Sequence, residues 1–181
     1  MTLPHPATPA IELRIATLAD AEALCAAERE TSRTPGQLLS RPYEFLETNF
    51  HDKIAQLAST GLYAVAEVDG KPVGHALLEP MAPASLAHVF SLTIVVHPGH
   101  SGRGIGSALM AYLMDWAERN ENVEKLELRV RASNLRARAL YQRFGFVEEG
   151  RFEKRVKLPD GSYLADISMA RFPRPSQTTS F

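Results

Sequence analysis

Between Ile94 and Ser107 the chain reads I-V-V-H-P-G-H-S-G-R-G-I-G-S, and few folds accept that run. A β-branched apolar stretch is stopped at His97-Pro98-Gly99, and glycines follow at Gly102, Gly104 and Gly106. An amphipathic run begins at once: Ile105, Ala108, Leu109, Tyr112, Leu113 and Trp116 fall on one stripe at helical spacing, which predicts a helix over 104–120. The feature is therefore a strand, a tight loop and a helix start. Glycines let the backbone approach a ligand closely, and the free N–H groups at a helix start suit an anion. Arg103 adds positive charge beside them. Two rival phosphate motifs do not fit. The G-x-x-x-x-G-K-[ST] loop needs a lysine that is absent. A dinucleotide fingerprint has Gly or Ala where Ser107 stands, and its strand runs directly into the first glycine.

The rest of the chain supplies a sheet for that helix. Ile11, Leu13 and Ile15 alternate with polar residues as a first strand does. Asp20 caps a helix over 21–30 with Ala23, Leu24 and Ala27 facing inward, and a second helix is predicted over 43–59 after a loop containing Pro35 and Gly36. Asp69-Gly70 joins the strands 62–68 and 72–79, a pair suited to a turn with two positive φ angles. Further strands are predicted over 86–96 and 125–130, a helix over 135–144, and a last hairpin of 146–158 with 163–171 about Pro159-Asp160-Gly161. The order β-α-α-β-β-β-α-β-α-β-β describes one α/β (α+β) domain over residues 11–172, with about seven strands and about four helices. Residues 1–10, with Pro4, Pro6 and Pro9, read as a flexible arm, and residues 173–181 as a flexible tail.

Composition narrows the function classes. A net charge of −1 argues against a nucleic-acid partner. Its distribution is uneven: residues 1–100 hold 6 Lys/Arg against 11 Asp/Glu, and residues 101–181 hold 14 against 10. The second half is suited to a small polyanion and the first to a cation. No apolar run approaches the roughly 20 residues of a membrane span, and no charged-then-apolar leader opens the sequence. The single cysteine, Cys25, excludes an internal disulfide and suits a reducing compartment, most simply the cytoplasm. Set in an Ala-rich helical stripe, it reads as a small core residue. His97 and His100 have H-x-x-H spacing but lie in a loop without a third ligand, so no metal is expected.

A second motif follows the first by about thirty residues. Asn134 opens the predicted helix 135–144, with Ala137 and Tyr141 three and seven residues on, along the same side. Taken singly, Asn134 reads as an N-cap and Tyr141 as a core aromatic. Taken together, S-G-R-G-I-G-S-A-L-M and R-A-S-N-L-R-A-R-A-L-Y-Q-R-F-G-F resemble the GNAT superfamily of acetyl-CoA-dependent N-acetyltransferases, over residues 11–171. The resemblance implies a mixed, mostly antiparallel sheet flanked by helices. It also implies that Gly102, Arg103, Gly104, Ile105, Gly106 and Ser107 cradle the CoA pyrophosphate on backbone amides. Ile94, Val95 and Val96 would pair with the pantetheine arm and point an amide at the thioester carbonyl. Asn134 and Ala137 would touch the cofactor, and Tyr141 would protonate the departing thiolate. Ser101 departs from the family pattern, which has Gln or Arg there.

The implied activity is transfer of an acetyl group to a primary amine, and it needs no covalent enzyme intermediate. The last stretch, from Asp160 to Arg171, is similar to the branch acting on free amino acids and small amines. Rival acceptors are a peptide N-terminus and an aminoglycoside-type polyamine, and the rival class is a CoA-binding module without turnover. Family members that acetylate ribosomal-protein N-termini carry a glutamate five residues before the asparagine, where this chain has Arg129. For the base that takes the amine proton, Glu79, His88, Glu127 and a water chain compete. The edge of the last hairpin is suited to pairing in a homodimer.

Overall fold

The computed structural model describes residues 10–173, so the expected arm and tail lie almost wholly outside the described residues. Seven strands form one sheet: β1 (Glu12–Ile15), β2 (Leu62–Val68), β3 (Lys71–Pro80), β4 (Val89–Val96), β5 (Lys125–Arg131), β6 (Val147–Lys157) and β7 (Tyr163–Arg171). Four α-helices flank it: α1 (Ala21–Ser32), α2 (Glu47–Thr60), α3 (Ile105–Arg119) and α4 (Leu135–Arg143). The element order is the one read from the sequence. Spatial order is β1-β2-β3-β4-β5-β7-β6, and every neighbouring pair is antiparallel except β4 with β5. Parallel neighbours need a crossover, and α3 makes it.

Side-chain alternation sorts the core into two layers. On one face Leu62, Ala64 and Ala66 of β2 and Ala76 and Leu78 of β3 pack with Leu109 and Leu113 of α3 and Tyr141 of α4. On the other, Tyr63 and Val65 of β2 meet Leu24 and Cys25 of α1 and Ile54 and Leu57 of α2. Strand β2 is buried on both faces, which is why its sequence reads as an almost unbroken apolar run. Asp69 and Gly70 take φ of 51° and 70°, the mirror-image turn their pairing predicts. Cys25 is buried in the smaller core, as its stripe suggests.

Several expectations are corrected. Ala23 is exposed; the inner face of α1 is Ala21, Leu24, Cys25 and Thr31. Ile15 is 59% exposed although Ile11 and Leu13 pack on the larger core, because it lies at the strand's end. The second helix begins at Glu47 instead of residue 43, since Pro42–Glu44 form a 3-10 turn and Phe45 is extended. The fourth strand begins at Val89 because Ala84–Leu86 form another such turn. The α3 stripe also extends to Met110, Met114 and Ala117.

Gly74 sets how closely α3 sits on β3. A Cβ there would lie 2.9 Å from Ile105 Cγ2, 3.1 Å from the Val95 carbonyl oxygen and 3.2 Å from Leu109 Cδ1. We expect Gly74→Val to overpack this contact and lower stability by about 1–3 kcal/mol. The measure is the urea midpoint at unchanged m-value. An unchanged midpoint would mean that α3 is not seated on this strand.

Candidate active site

The sheet opens where its two halves meet. Parallel pairing between β4 and β5 covers only Val89–Lys125, Phe90–Leu126 and Ser91–Glu127, although β4 runs on to Val96 and β5 to Arg131. Beyond Ser91, β4 stays paired with β3, and beyond Glu127, β5 stays paired with β7. The β3–β4 ladder fixes where β4 aims its free groups. Met81 N–H bonds the Val89 carbonyl and His97 N–H bonds the Val73 carbonyl, so odd-numbered β4 residues turn their backbone groups to β3. Ile94 and Val96 therefore direct theirs into the opening. Val95 belongs to the other set, opposite His75, and its backbone is committed to β3.

A groove of about 1790 Å³ passes through this opening. On the α3 side it is lined by Ser101, Gly102, Gly104, Ile105, Gly106 and Ser107, and by Asn134, Ala137 and Tyr141. Gly102 and Gly104 take φ of 86° and 82°, and a Cβ on Gly104 would meet no atom within 4 Å. The loop thus holds a left-handed conformation against open space. Ala108 N–H is the first to bond back into the helix, to the Gly104 carbonyl. The N–H groups of Ile105, Gly106 and Ser107 are left without intrahelical acceptors. Gly106 serves packing instead: its Cβ would come within 3.3 Å of Leu140 on α4. Arg103 is exposed and does not line the groove; Arg136 and Arg143 do, and Arg143 donates to Ser107 Oγ at 3.1 Å.

Asn134 is the N-cap of α4, its Oδ1 accepting from Ala137 N–H at 3.1 Å. That bond uses the Ala137 amide, so Ala137 offers the groove its methyl group. Tyr141 is 7% exposed and lines the groove, with its ring 6.0 Å from that of Phe146. Its hydroxyl has no hydrogen-bond partner among the described residues. Burial pushes its pKa up to about 12, so at neutral pH it is a proton donor.

On the α1 side the hollow is charged. Glu28 and Thr31 of α1, the loop from Pro35 to Ser40, and Glu127 and Arg129 of β5 line it. Of the candidate bases, Glu79 and His88 lie off the groove, and Glu79 is ion-paired with Lys53. Glu127 does line it, but its carboxylate is held by Lys125 at 2.7 Å. Arg129 stacks on Phe152 at 5.0 Å, while Arg131 is buried against Asp166. The sequence reading missed Glu28, which bonds to His75, itself bonded to His97. Forty-seven positions separate Glu28 from His75, and no local spacing joins them. His97 spends both ring nitrogens on His75 and the Pro72 carbonyl, which leaves its pairing with His100 without a ligand role.

Residues 24–146 match the pattern of the acetyltransferase (GNAT) family. The chain belongs to that family. Over 107 residues it is 33% identical to the L-amino acid N-acetyltransferase AaaT of Escherichia coli, a match covering 59% of this chain and 65% of that protein. The chain thus spans just under two thirds of the length of that curated relative. Among solved structures, a GNAT phosphinothricin acetyltransferase from Sinorhizobium meliloti in complex with acetyl-CoA superposes with a TM-score of 0.84 at 19% identity, over 94% of this chain and 92% of that one. A ribosomal-protein-alanine N-acetyltransferase from Brucella melitensis gives 0.79 at 27% identity, over 89% and 99%. The fold is the GNAT fold, with its sheet opened between β4 and β5.

At Gly104 the prediction is specific. Gly104→Val places a β-branched residue at φ of 82° and a side chain in the open space before α3. We expect acetyl-CoA binding to weaken at least tenfold by calorimetry, with a stability loss of about 1–2 kcal/mol for the left-handed conformation. Unchanged affinity in a folded variant would remove this loop from the binding site.

Proposed function

We propose that this protein transfers the acetyl group of acetyl-CoA to the primary amine of a small acceptor, an amino acid in the reading the site supports best. The observation that carries it is the groove that crosses the sheet, with a backbone anion cradle at one end and a charged hollow at the other. Family membership and the named activity of the E. coli relative support the same reading.

The residues divide the work. The N–H groups of Ile105, Gly106 and Ser107, with the loop at Gly102 and Gly104, hold the pyrophosphate, where the start of α3 adds favourable dipole. Arg136 and Arg143 supply the positive charge expected of Arg103. Arg136 Nη2 stands 3.8 Å from the Cβ position of Gly102, beside Ser101, and so offsets the missing Gln or Arg there. The backbone of Ile94 and Val96 pairs with the extended arm and polarises the acyl carbonyl. The thioester brings an activated acyl group with a thiolate leaving group. Asn134 fixes the start of α4, and Tyr141, two turns on, donates to the sulfur. Arg129 is the charged group on β5 free to meet an acceptor carboxylate. Its place, where ribosomal-protein acetyltransferases carry glutamate, favours a small acidic acceptor over a peptide N-terminus. No helix among the described residues is long and apolar enough to cross a membrane, and we place the reaction in the cytoplasm on the single buried thiol. We also propose one catalytic domain over residues 11–172 and a homodimer joined along β6, whose residues are almost all exposed at the sheet edge.

Tyr141→Phe tests this chemistry. It keeps the ring against Phe146 and removes only the hydroxyl. We expect kcat to fall about 10²-fold, the scale of one lost donor to developing negative charge, with acetyl-CoA affinity and melting temperature unchanged. Thiol release from acetyl-CoA over a panel of amino acids and amines reads the rate. An unaltered kcat would make Tyr141 a packing residue, and a wild-type protein that binds acetyl-CoA but acetylates no amine would leave a binding module.

A further inference from the structure

A buried chain of hydrogen bonds ends in the acceptor hollow. The Pro72 carbonyl lies 3.1 Å from His97 Nδ1, His97 Nε2 lies 2.9 Å from His75 Nδ1, and His75 Nε2 lies 2.8 Å from Glu28 Oε1. A carbonyl only accepts, so His97 Nδ1 carries a proton. Burial, with His75 beside it, pushes the His97 pKa down to about 4, so the ring is neutral near pH 7 and Nε2 is bare. His75 must then donate from Nδ1. With His97 neutral, one proton is left to share between His75 Nε2 and Glu28 Oε1. Glu28 Oε2 has no partner among the described residues, and Glu28 lines the groove.

We infer that Glu28 receives the ammonium group of the acceptor on Oε2, and that His75 and His97 are positioning residues that hold its carboxylate. This rests on the acetyl-transfer reading above. Three observations carry it. His75 is opposite Val95, so the backbone that carries its ring lies one strand spacing, about 4.8 Å, from Val95 on the strand that borders the opening, and that ring bonds Glu28. His75 is 0% exposed and stacked with Tyr63 at 5.8 Å, so the ring has no freedom to release the carboxylate. The chain also terminates on a carbonyl, which takes no proton onward. It therefore orients Glu28 and does not conduct protons away. Glu28 on α1 and Arg129 on β5 both line the groove, which thus presents a carboxylate and a guanidinium, the complement of a zwitterion.

Glu28→Gln separates the possibilities. Its amide can donate to a neutral His75, which keeps the chain of bonds, but it carries no charge. A charged hydrogen bond lost in this way should raise KM for the amine roughly 10- to 100-fold, with acetyl-CoA affinity and melting temperature unchanged. Nitrogen-15 spectra of the imidazoles give a readout independent of turnover: His75 Nε2 should pass from a proton-sharing to a bare nitrogen in the variant. Glu28→Asp, whose shorter arm cannot reach both His75 and the groove, should fall between. A wild-type enzyme that turns over while Glu28→Gln keeps its KM overturns the assignment alone. So does a variant that melts far lower with KM intact. A wild-type protein that acetylates no amine overturns the acetyl-transfer reading and this inference together.

Discussion

The open groove depends on a parallel ladder only three residue pairs long. The strands β1 to β4 form one antiparallel half and β5, β7 and β6 another, and Val89–Ser91 with Lys125–Glu127 is the seam. So short a ladder is weak, yet the halves do not part, because the larger core crosses it. Ile105, Leu109 and Leu113 of α3 pack in one cluster with Ala76 and Leu92 from the first half and Leu126, Leu128 and Ile167 from the second. Burying such side chains stabilises by roughly 1.5–3 kcal/mol each, far more than a few further ladder bonds at about 1 kcal/mol. The apolar layer holds the seam closed on one face and leaves backbone groups beyond it free for a ligand.

That division explains what the sequence revealed. Features set by neighbours along the chain were legible: the Asp69-Gly70 turn, the stop at His97-Pro98-Gly99, the stripe of α3, and the pairing of Asn134 with Tyr141 across two turns. Boundaries set by packing were not. Tyr43 and Glu44 have helix-compatible neighbours, but the chain must turn at Phe45 before α2 can seat Phe50 and Ile54 on the smaller core. Ala23 looked apolar enough to face inward, but with Leu24 and Cys25 adjacent the helix has only one inner face to give. The Glu28–His75–His97 chain joins α1, β3 and the loop beyond β4, and it exists only once the sheet is assembled.

The uneven charge of the sequence acquires a physical form. Several second-half cations are spent on carboxylates: Arg119 on Asp115, Arg138 on Glu148, Arg151 on Glu153, Arg171 on Glu118. Exposed pairs of this kind add little to stability. Arg136, Arg143 and Arg129 are different, since they face the groove and no carboxylate pairs with them among the described residues. These three supply the groove with positive charge unpaired by carboxylates, and Arg103, the arginine most visible in the motif, stands outside it.

Proton accounting in the proposed reaction then assigns Tyr141 a narrower part than a phenol near 10 suggests. An ammonium becoming an amide loses two protons; one ends on sulfur and the other leaves with solvent. Burial has raised the Tyr141 pKa to about 12, whereas an alkyl thiol lies near about 8.5. Full transfer from phenol to thiolate is therefore uphill by several pKa units, each about 1.4 kcal/mol. The same burial makes the hydroxyl a donor that never ionises at working pH, in a setting where a hydrogen bond to developing negative charge is strong. Tyr141 thus stabilises the sulfur as the C–S bond breaks, and the proton that finally resides there is one the nitrogen has released.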